Sequence, residues 1–426
     1  MIFTPATLAR RRDRLAQALG LKDEVLVIAA GDPVPLPENT DQTYPFRAHT
    51  EYVYVSGLDL PGGVVTFDPS EGWRSFVATV TEDERIWEGR TQPRGEPLAD
   101  FAAWRQARLR RPWINLGTTL SDLPKVADRQ AEVRERFHHA RRVKDAEEIA
   151  LLRRAAQATA AGYAAIQPLL QLGVSERVLQ IELEAAFQRG GARRTGYGTI
   201  VGTGPNAGVL HFEPTDRTAR DGEFVLIDAG AEVDRYVCDV TRTYAVGRPS
   251  GLQRDLYQLV LGVERRAVAA CRPGVEWKDL HLRAAHELTE GLVTIGLLRG
   301  EPGSLVEQEA HRLFFPHGLG HLVGLGVRDA SGTPPGRPRD TRPQFRNLRT
   351  DLPLQAGYVI TVEPGLYFIP PLLEDPTRRE RYREQVNWSL VDQNLQLGGV
   401  RIEDNVLVTD GVPDVLTSAI PKEPAG

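Results

Sequence analysis

Cysteine is nearly missing from this chain: Cys238 and Cys271 are the only two among 426 residues. That excludes a disulfide framework and a thiolate-built metal site, and it points to a reducing cytoplasm. Long apolar runs are also missing. None approaches the roughly 20 residues that span a bilayer. The opening stretch, MIFTPATLARRRDRLAQALG, has arginines but no apolar segment behind them. It reads as an amphipathic helix rather than a secretion signal. There is no large excess of either charge. A net charge of -5 gives no general attraction to phosphate backbones or anionic lipid, so neither nucleic acid nor membrane is expected as a partner. Several familiar motifs are absent as well. There is no G-x-S-x-G elbow. The stretches GYGTIVG and GTGPNAG have the wrong spacing for a dinucleotide loop, and HELTE lacks the second histidine of a zinc-binding helix.

What is present is a globular composition, 41% apolar and 26% charged, on a chain long enough for two or three domains. Residues 1 to about 125 mix helical and strand patterns. EVLVIAAG, EYVYVSGL, GVVTFDP and RSFVATV read as strands, and RLRRPWINLGTTLSDLPK reads as a connector. Asp145, with Glu148 three residues on, has capping-box spacing at the start of a long helix. A domain boundary is therefore expected near residue 140, giving 1–140 and 141–426. Beyond it, helical patterns (175–189, 252–271, 277–298) alternate with strand patterns (223–232, 236–246, 358–367, 398–409). SGTPPGRPRDTRPQFRNLR reads as loop. The fold class is α/β, in the α+β sense.

Acidic residues stand inside the apolar strands. In FVLIDAGAEVDRYVCDVTRTYAV, a hairpin folded about Val233 and Asp234 sets Asp228 opposite Asp239. Directly paired side chains lie about 5 Å apart on one face. Two carboxylates held that close repel unless a proton or a cation lies between them. YVITVEPGLY supplies Glu363 and GGVRIEDNVLV supplies Glu403. Four carboxylates balance two divalent cations, and His321 in FFPHGLGHLVGLGVRD adds a nitrogen. One imidazole with four carboxylates suits Mn²⁺, Co²⁺ or Zn²⁺ better than Mg²⁺. Cys238, next to Asp239, alternates to the other face and is expected in the core. His138 and His139 read as solvated, and His49, His281 and His311 receive no role.

The segments LIDAGAEVDRYVCDVTRTY, FPHGLGHLVGLGVRD, TVEPGLYF and GGVRIEDNVLV resemble the proline-peptide metallopeptidases of the pita-bread fold, family M24B. These include prolidase (Xaa-Pro dipeptidase) and aminopeptidase P. The resemblance implies a small N-terminal α/β domain followed by a pita-bread catalytic domain. It implies Asp228, Asp239, His321, Glu363 and Glu403 as ligands of two divalent metals, with Mn²⁺ first and Co²⁺ or Zn²⁺ as alternatives. It implies that a hydroxide bridging the metals attacks the carbonyl before proline, with Glu363 moving the proton. His211, in IVGTGPNAGVLHFEP, and His317 match active-site histidines, and Arg401 matches an arginine that orients carboxylates. Tyr367 is expected among the substrate contacts. A homodimer is implied by resemblance alone.

Arg328 departs from the family pattern. In most prolidases and aminopeptidases P its position is histidine, in a Val-His-Asp sequence; here it is GVRD. Arginine is a permanent cation with donors only, so it can hold a substrate carboxylate or carbonyl but cannot exchange protons. Two features favour the dipeptidase branch. Arg349 in RNLRT resembles the prolidase arginine that grips the substrate's C-terminal carboxylate. The long stretch between Glu363 and Glu403 resembles a prolidase insert. The expected function is hydrolysis of Xaa-Pro dipeptides. An Xaa-Pro aminopeptidase acting on longer peptides is the alternative, and a non-peptidase member of the fold stands behind both.

Overall fold

The computed structural model describes residues 1–37, 42–120 and 128–423. The chain forms two compact units, Met1–Arg141 and Arg142–Gly426. No helix of the described residues is long and apolar enough to cross a membrane.

The first unit is built on a five-stranded sheet. Its order across is Glu96–Pro97, Gly72–Val77, Val64–Asp68, Val25–Ala29 and Trp113–Gly117. Val25, Val27, Val64, Phe76, Trp104 and Trp113 form a core cluster on it. Two expectations fail here. RRPWINLGTT is not a connector, because Trp113–Gly117 pairs in parallel with Val25–Ala29. Part of the remaining connector, residues 121–125, lies outside the described residues. EYVYVSGL is not a strand either. Thr50–Ser56 is a helix closed by Gly57 at φ 67°. Its Tyr-Val alternation imitates a strand, but every residue from Glu51 to Ser56 is buried. With both faces covered, periodicity cannot distinguish the two states, and tertiary packing decides. His138 is not simply solvated: its Nε2 lies 3.0 Å from the buried Glu51 carboxylate.

The second unit opens as the capping-box spacing predicts. Asp145 accepts from the Glu148 amide and Glu148 accepts from the Asp145 amide, each at 3.0 Å, at the head of helix Ala146–Ile166. Helices Glu176–Arg189, Gly251–Ala269 and Trp277–Ile295 follow the remaining helical patterns. Four small antiparallel sheets carry the site. The principal ones are Ile200–Thr203 with Phe224–Asp228 and Thr241–Ala245, Val359–Val362 with Asp404–Leu407, and Gly365–Tyr367 with Gly399–Arg401. One large apolar cluster joins the two later helices to these strands, from Leu256 and Trp277 to Ile360 and Val400.

The hairpin register differs from the expected one. Asp228 pairs with Thr241, and Val233 with Tyr236. The turn residues are Asp234 and Arg235, both left-handed at φ 48° and 75°. Two consecutive positive φ values make the tight turn whose twist matches a hairpin. The turn therefore falls one residue later than Val233–Asp234, and the pairing shifts by two. An even shift keeps side chains on the same face. Asp239 becomes a diagonal neighbour of Asp228 rather than its direct partner.

Candidate active site

Each acidic side chain is delivered from the end of a strand or from within two residues of one. Asp228 ends Phe224–Asp228, Asp239 stands two residues before Thr241–Ala245, Glu363 follows Val359–Val362, and Glu403 lies between Gly399–Arg401 and Asp404–Leu407. The apolar runs bury the strands, and the break in each run turns one carboxylate into a shared cavity. Ligand atoms of Asp228, Asp239 and Glu403 lie within 4.8 Å of one another. His321 Nε2 is 3.5 Å from Asp239 Oδ2 and 3.8 Å from Glu363 Oε1. The five expected ligands thus come together, although they span 176 positions, from 228 to 403.

His321 reaches the cluster because Gly320 permits a close backbone approach. A Cβ at Gly320 would stand 2.0 Å from the Thr361 carbonyl oxygen. The His321 amide donates to Thr361 Oγ1 at 2.9 Å, and the Thr361 amide donates to the His321 carbonyl at 2.8 Å. Further along, a Cβ at Gly324 would meet Asp329 Oδ2 at 2.5 Å and Lys144 Cε at 2.7 Å. These glycines let the loop pass its neighbouring chain segments; neither contact is to the clustered carboxylates of Asp228, Asp239, Glu363 and Glu403.

The donor set fits divalent cations. Burial raises the carboxyl groups of Asp239 and Glu403 well above their ordinary values, and neighbouring carboxylates push them the same way. Glu363 is raised to about 7, first by burial. Carboxylates so placed need protons or cations to share them. His321 Nδ1 faces the Leu322 carbonyl at 3.1 Å, so the proton belongs on Nδ1 and the lone pair of Nε2 points at the carboxylates. Burial also holds this imidazole at about 4, neutral as a metal ligand must be.

Hydrogen bonds from outside the cluster fix these oxygens. Arg401 Nη2 donates to Asp228 Oδ2 at 2.7 Å, its Nε to Thr241 Oγ1 at 2.9 Å and its Nη1 to the Tyr367 hydroxyl at 2.8 Å. Sequence reasoning missed three partners. The Tyr197 hydroxyl donates to Asp228 Oδ1 at 2.6 Å. Thr241 Oγ1 donates to Glu403 Oε2 at 2.6 Å. Asn405 Oδ1 accepts from the Asp239 amide at 3.0 Å. Tyr197 lies in GYGTIVG, where an aromatic between two glycines was the available signal. Thr241 faces Asp228 only in the corrected register.

His211, His317, Arg328, Arg349, Arg401 and the five expected ligands all line a cavity of about 900 Å³. Tyr367 does not. Its ring is buried, and its hydroxyl lies between Arg401 Nη1 and His317 Nε2, each at 2.8 Å. The expectation of a substrate contact is replaced by a positioning one. His317 Nδ1 faces the Gly318 carbonyl at 2.8 Å. Both of its nitrogens are therefore engaged within the protein, and burial followed by the Arg401 charge lowers it to about 3. His211 is exposed and has its pKa lowered by burial and then by Arg328. Cys238 is buried, its thiol pushed up to about 12 by burial.

A model of metallopeptidase family M24 matches residues 150–410, and a model of the aminopeptidase P N-terminal domain matches 8–107. A probable Xaa-Pro aminopeptidase (pepP) of Aspergillus fumigatus is 33% identical over 419 residues, covering 90% of this chain and 88% of its own. One from Coccidioides posadasii is 30% identical over 445 residues, covering 98% and 94%. Among solved structures, Pseudomonas aeruginosa aminopeptidase PepP superposes with TM-score 0.80 at 28% identity, covering 99% of this chain and 97% of that one. Escherichia coli aminopeptidase P with the inhibitor Pro-Leu gives 0.80 at 27%, with the same coverage. With its pita-bread catalytic domain and an aminopeptidase P-type N-terminal domain, the chain belongs to metallopeptidase family M24, the enzymes that hydrolyse peptides with divalent metal ions.

Proposed function

We propose that this enzyme is an Xaa-Pro aminopeptidase, releasing the residue before proline from peptides longer than two residues. The cavity carries this reading. At about 900 Å³ it lies at the upper end of ligand pockets, with room for residues beyond the proline. The relatives that match along nearly the whole chain are named aminopeptidases. The dipeptidase reading rested on Arg349 and on the segment between Glu363 and Glu403. That segment folds into short helices, Pro370–Leu373, Pro376–Arg381 and Trp388–Gln393, whose Leu373 and Val391 join the core. None of its residues from 370 to 397 lines the cavity, so it gives no reason to limit substrate length.

Asp228, Asp239, His321, Glu363 and Glu403 would hold two divalent metals; Mn²⁺ is the first candidate, with Co²⁺ and Zn²⁺ behind it. Bound there, such ions activate water and polarise a carbonyl. Glu363, whose carboxyl burial raises to about 7, is the group suited to passing a proton toward the leaving proline nitrogen. Arg401 and Thr241 hold the carboxylates in place. His211 binds the peptide near the scissile bond. A homodimer and a cytoplasmic setting belong to the same proposal.

The test is hydrolysis of Ala-Pro, Ala-Pro-Ala and Ala-Ala by Mn²⁺-loaded enzyme, with and without chelator. The expected result is chelator-sensitive release of alanine chiefly from Ala-Pro-Ala. Cleavage of Ala-Pro alone returns the assignment to a dipeptidase and makes Arg349 the carboxylate clamp.

A further inference from the structure

Four arginines stand on the cavity wall without a counter-charge. Arg328, Arg339, Arg346 and Arg349 all line the cavity and are all exposed. Among the described residues, none of the four forms an ion pair. The acid next in sequence to Arg328 is turned away from it: Asp329 Oδ2 lies 2.9 Å from Lys144 Nζ, and both groups are buried. Arg339 Nη2 donates only to backbone, to the carbonyls of Arg346 and Leu348 at 3.2 and 3.4 Å. The positive field extends into the site. Burial and then the Arg328 charge lower Arg349, and Arg328, Arg401 and Arg349 all act against a proton on His211.

The carboxylates of the cavity answer this charge only through Glu363, on which Arg328 and Arg349 act. Of those lining it, Asp228, Asp239, Glu363 and Glu403 belong to the metal cluster, and only Glu213 remains. Two divalent cations would balance the inner four. Arg401 is already paired with Asp228. The wall is therefore cationic in the working enzyme. A substrate's C-terminal carboxylate is gripped by the fork of one guanidinium, or two at most. Four like charges lining one cavity concentrate anions there.

We propose that this wall selects peptides with an acidic side chain on the residue after proline, the Xaa-Pro-Glu or Xaa-Pro-Asp class, which bring two carboxylates on the leaving side. The proposal rests on the aminopeptidase reading above, which supplies a peptide that continues past proline. Glutamate carboxylate and chain-terminal carboxylate present the same chemistry, so the experiment separates them.

The substrates are Ala-Pro-Glu, Ala-Pro-Gln, Ala-Pro-Lys and Ala-Pro, at low and high ionic strength. The expected kcat/KM for Ala-Pro-Glu exceeds that for Ala-Pro-Gln by about 10-fold at low salt, with Ala-Pro-Lys poorest and the preference shrinking as salt screens it. An Arg339→Gln, Arg346→Gln double variant brings the Glu-to-Gln ratio toward one. A second arm measures calorimetric binding of the product dipeptides Pro-Glu and Pro-Gln to Mn²⁺-loaded protein, where Pro-Glu binds more tightly. Equal rates for Ala-Pro-Glu and Ala-Pro-Gln overturn the proposal. So does cleavage of Ala-Pro as fast as Ala-Pro-Glu, because one terminal carboxylate then suffices. If none of the peptides is hydrolysed, the aminopeptidase reading falls and the binding arm alone decides: equal affinities defeat the cationic wall, and tighter Pro-Glu upholds it.

Discussion

Arg401 Nη2 lies 2.7 Å from Asp228 Oδ2, and both side chains are almost wholly buried. The same guanidinium also donates to Thr241 and Tyr367. A lysine has one nitrogen and cannot span three acceptors in a plane. Arg401→Lys should therefore leave a cation in the site but release Asp228. Metal affinity, measured calorimetrically, should fall by about 10- to 100-fold, the usual cost of losing an outer-shell partner. Unchanged affinity with lowered thermal stability would make Arg401 a packing residue only.

Thr241 offers a finer test of the same idea. Its hydroxyl accepts from Arg401 and donates to Glu403 Oε2 at 2.6 Å. Thr241→Val keeps the shape and removes both bonds. About 1–3 kcal/mol of stability should be lost through the unsatisfied partners, and metal affinity should drop about 10-fold. Thr243→Val is the control. Thr243 is equally buried, but its hydroxyl bonds to the Arg401 backbone, at 2.9 and 3.1 Å, rather than to a carboxylate. It should lose stability and keep its affinity for metal. Equal losses of metal affinity in the two variants would remove the role assigned to Thr241.

Much of this site is legible in the sequence, for a physical reason. An acidic residue within an apolar, β-branched strand is costly wherever it is buried, so Asp228 and Asp239 stand out as a pair, and Glu363 and Glu403 in company with them. Their flanks match a known family, and that supplies the grouping. What could not be read depended on register and on context. The hairpin turn was misplaced because Asp-Arg is an unusual pair for two left-handed residues, and with it the partnership of Thr241 was lost. Thr50–Ser56 alternates like a strand and is a helix because both its faces are covered. Tyr197 reaches Asp228 from a glycine-flanked loop that carries no periodic signal. Tyr367 reads as a substrate contact from its place in TVEPGLYF, and only the bonds to Arg401 and His317 show it behind the cavity wall.

The contact at Gly320 gives a prediction about folding rather than chemistry. A methyl there would stand 2.0 Å from the Thr361 carbonyl oxygen, which is backbone and cannot swing aside. Gly320→Ala must push the His321 segment off the strand Val359–Val362. A loss above about 3 kcal/mol is expected, at or beyond the usual ceiling for overpacking. Gly318→Ala, whose Cβ would meet the Asn347 carbonyl oxygen at 3.2 Å, should cost less. Urea denaturation of both variants ranks them. The reverse order would mean that the His321 segment can yield.

Stability should also carry the mark of two histidines that the chemistry does not use. His281 and His311 are buried, and the Nδ1 of each has no hydrogen-bond partner. Burial lowers His281 to about 4 and His311 to about 3, the second helped by the first. Both are neutral in the fold, while in the unfolded chain each takes a proton near about pH 6.5. The unfolded state therefore binds more protons between about pH 6.5 and the folded values. Their contribution is complete above about pH 6.5 and is lost as the pH falls toward the folded values, about 4 for His281 and about 3 for His311, with a slope approaching about 1.4 kcal/mol per pH unit for each ring. In His311→Gln one of these rings is gone. The buried carboxylates titrate alike in both proteins, so their share cancels in the comparison. Urea unfolding of metal-free wild type and variant across about pH 4.5 to 6.5 should give a shallower pH dependence for the variant, by about one proton. Parallel curves would mean that His311 is already protonated in the fold, or that it is not buried as described.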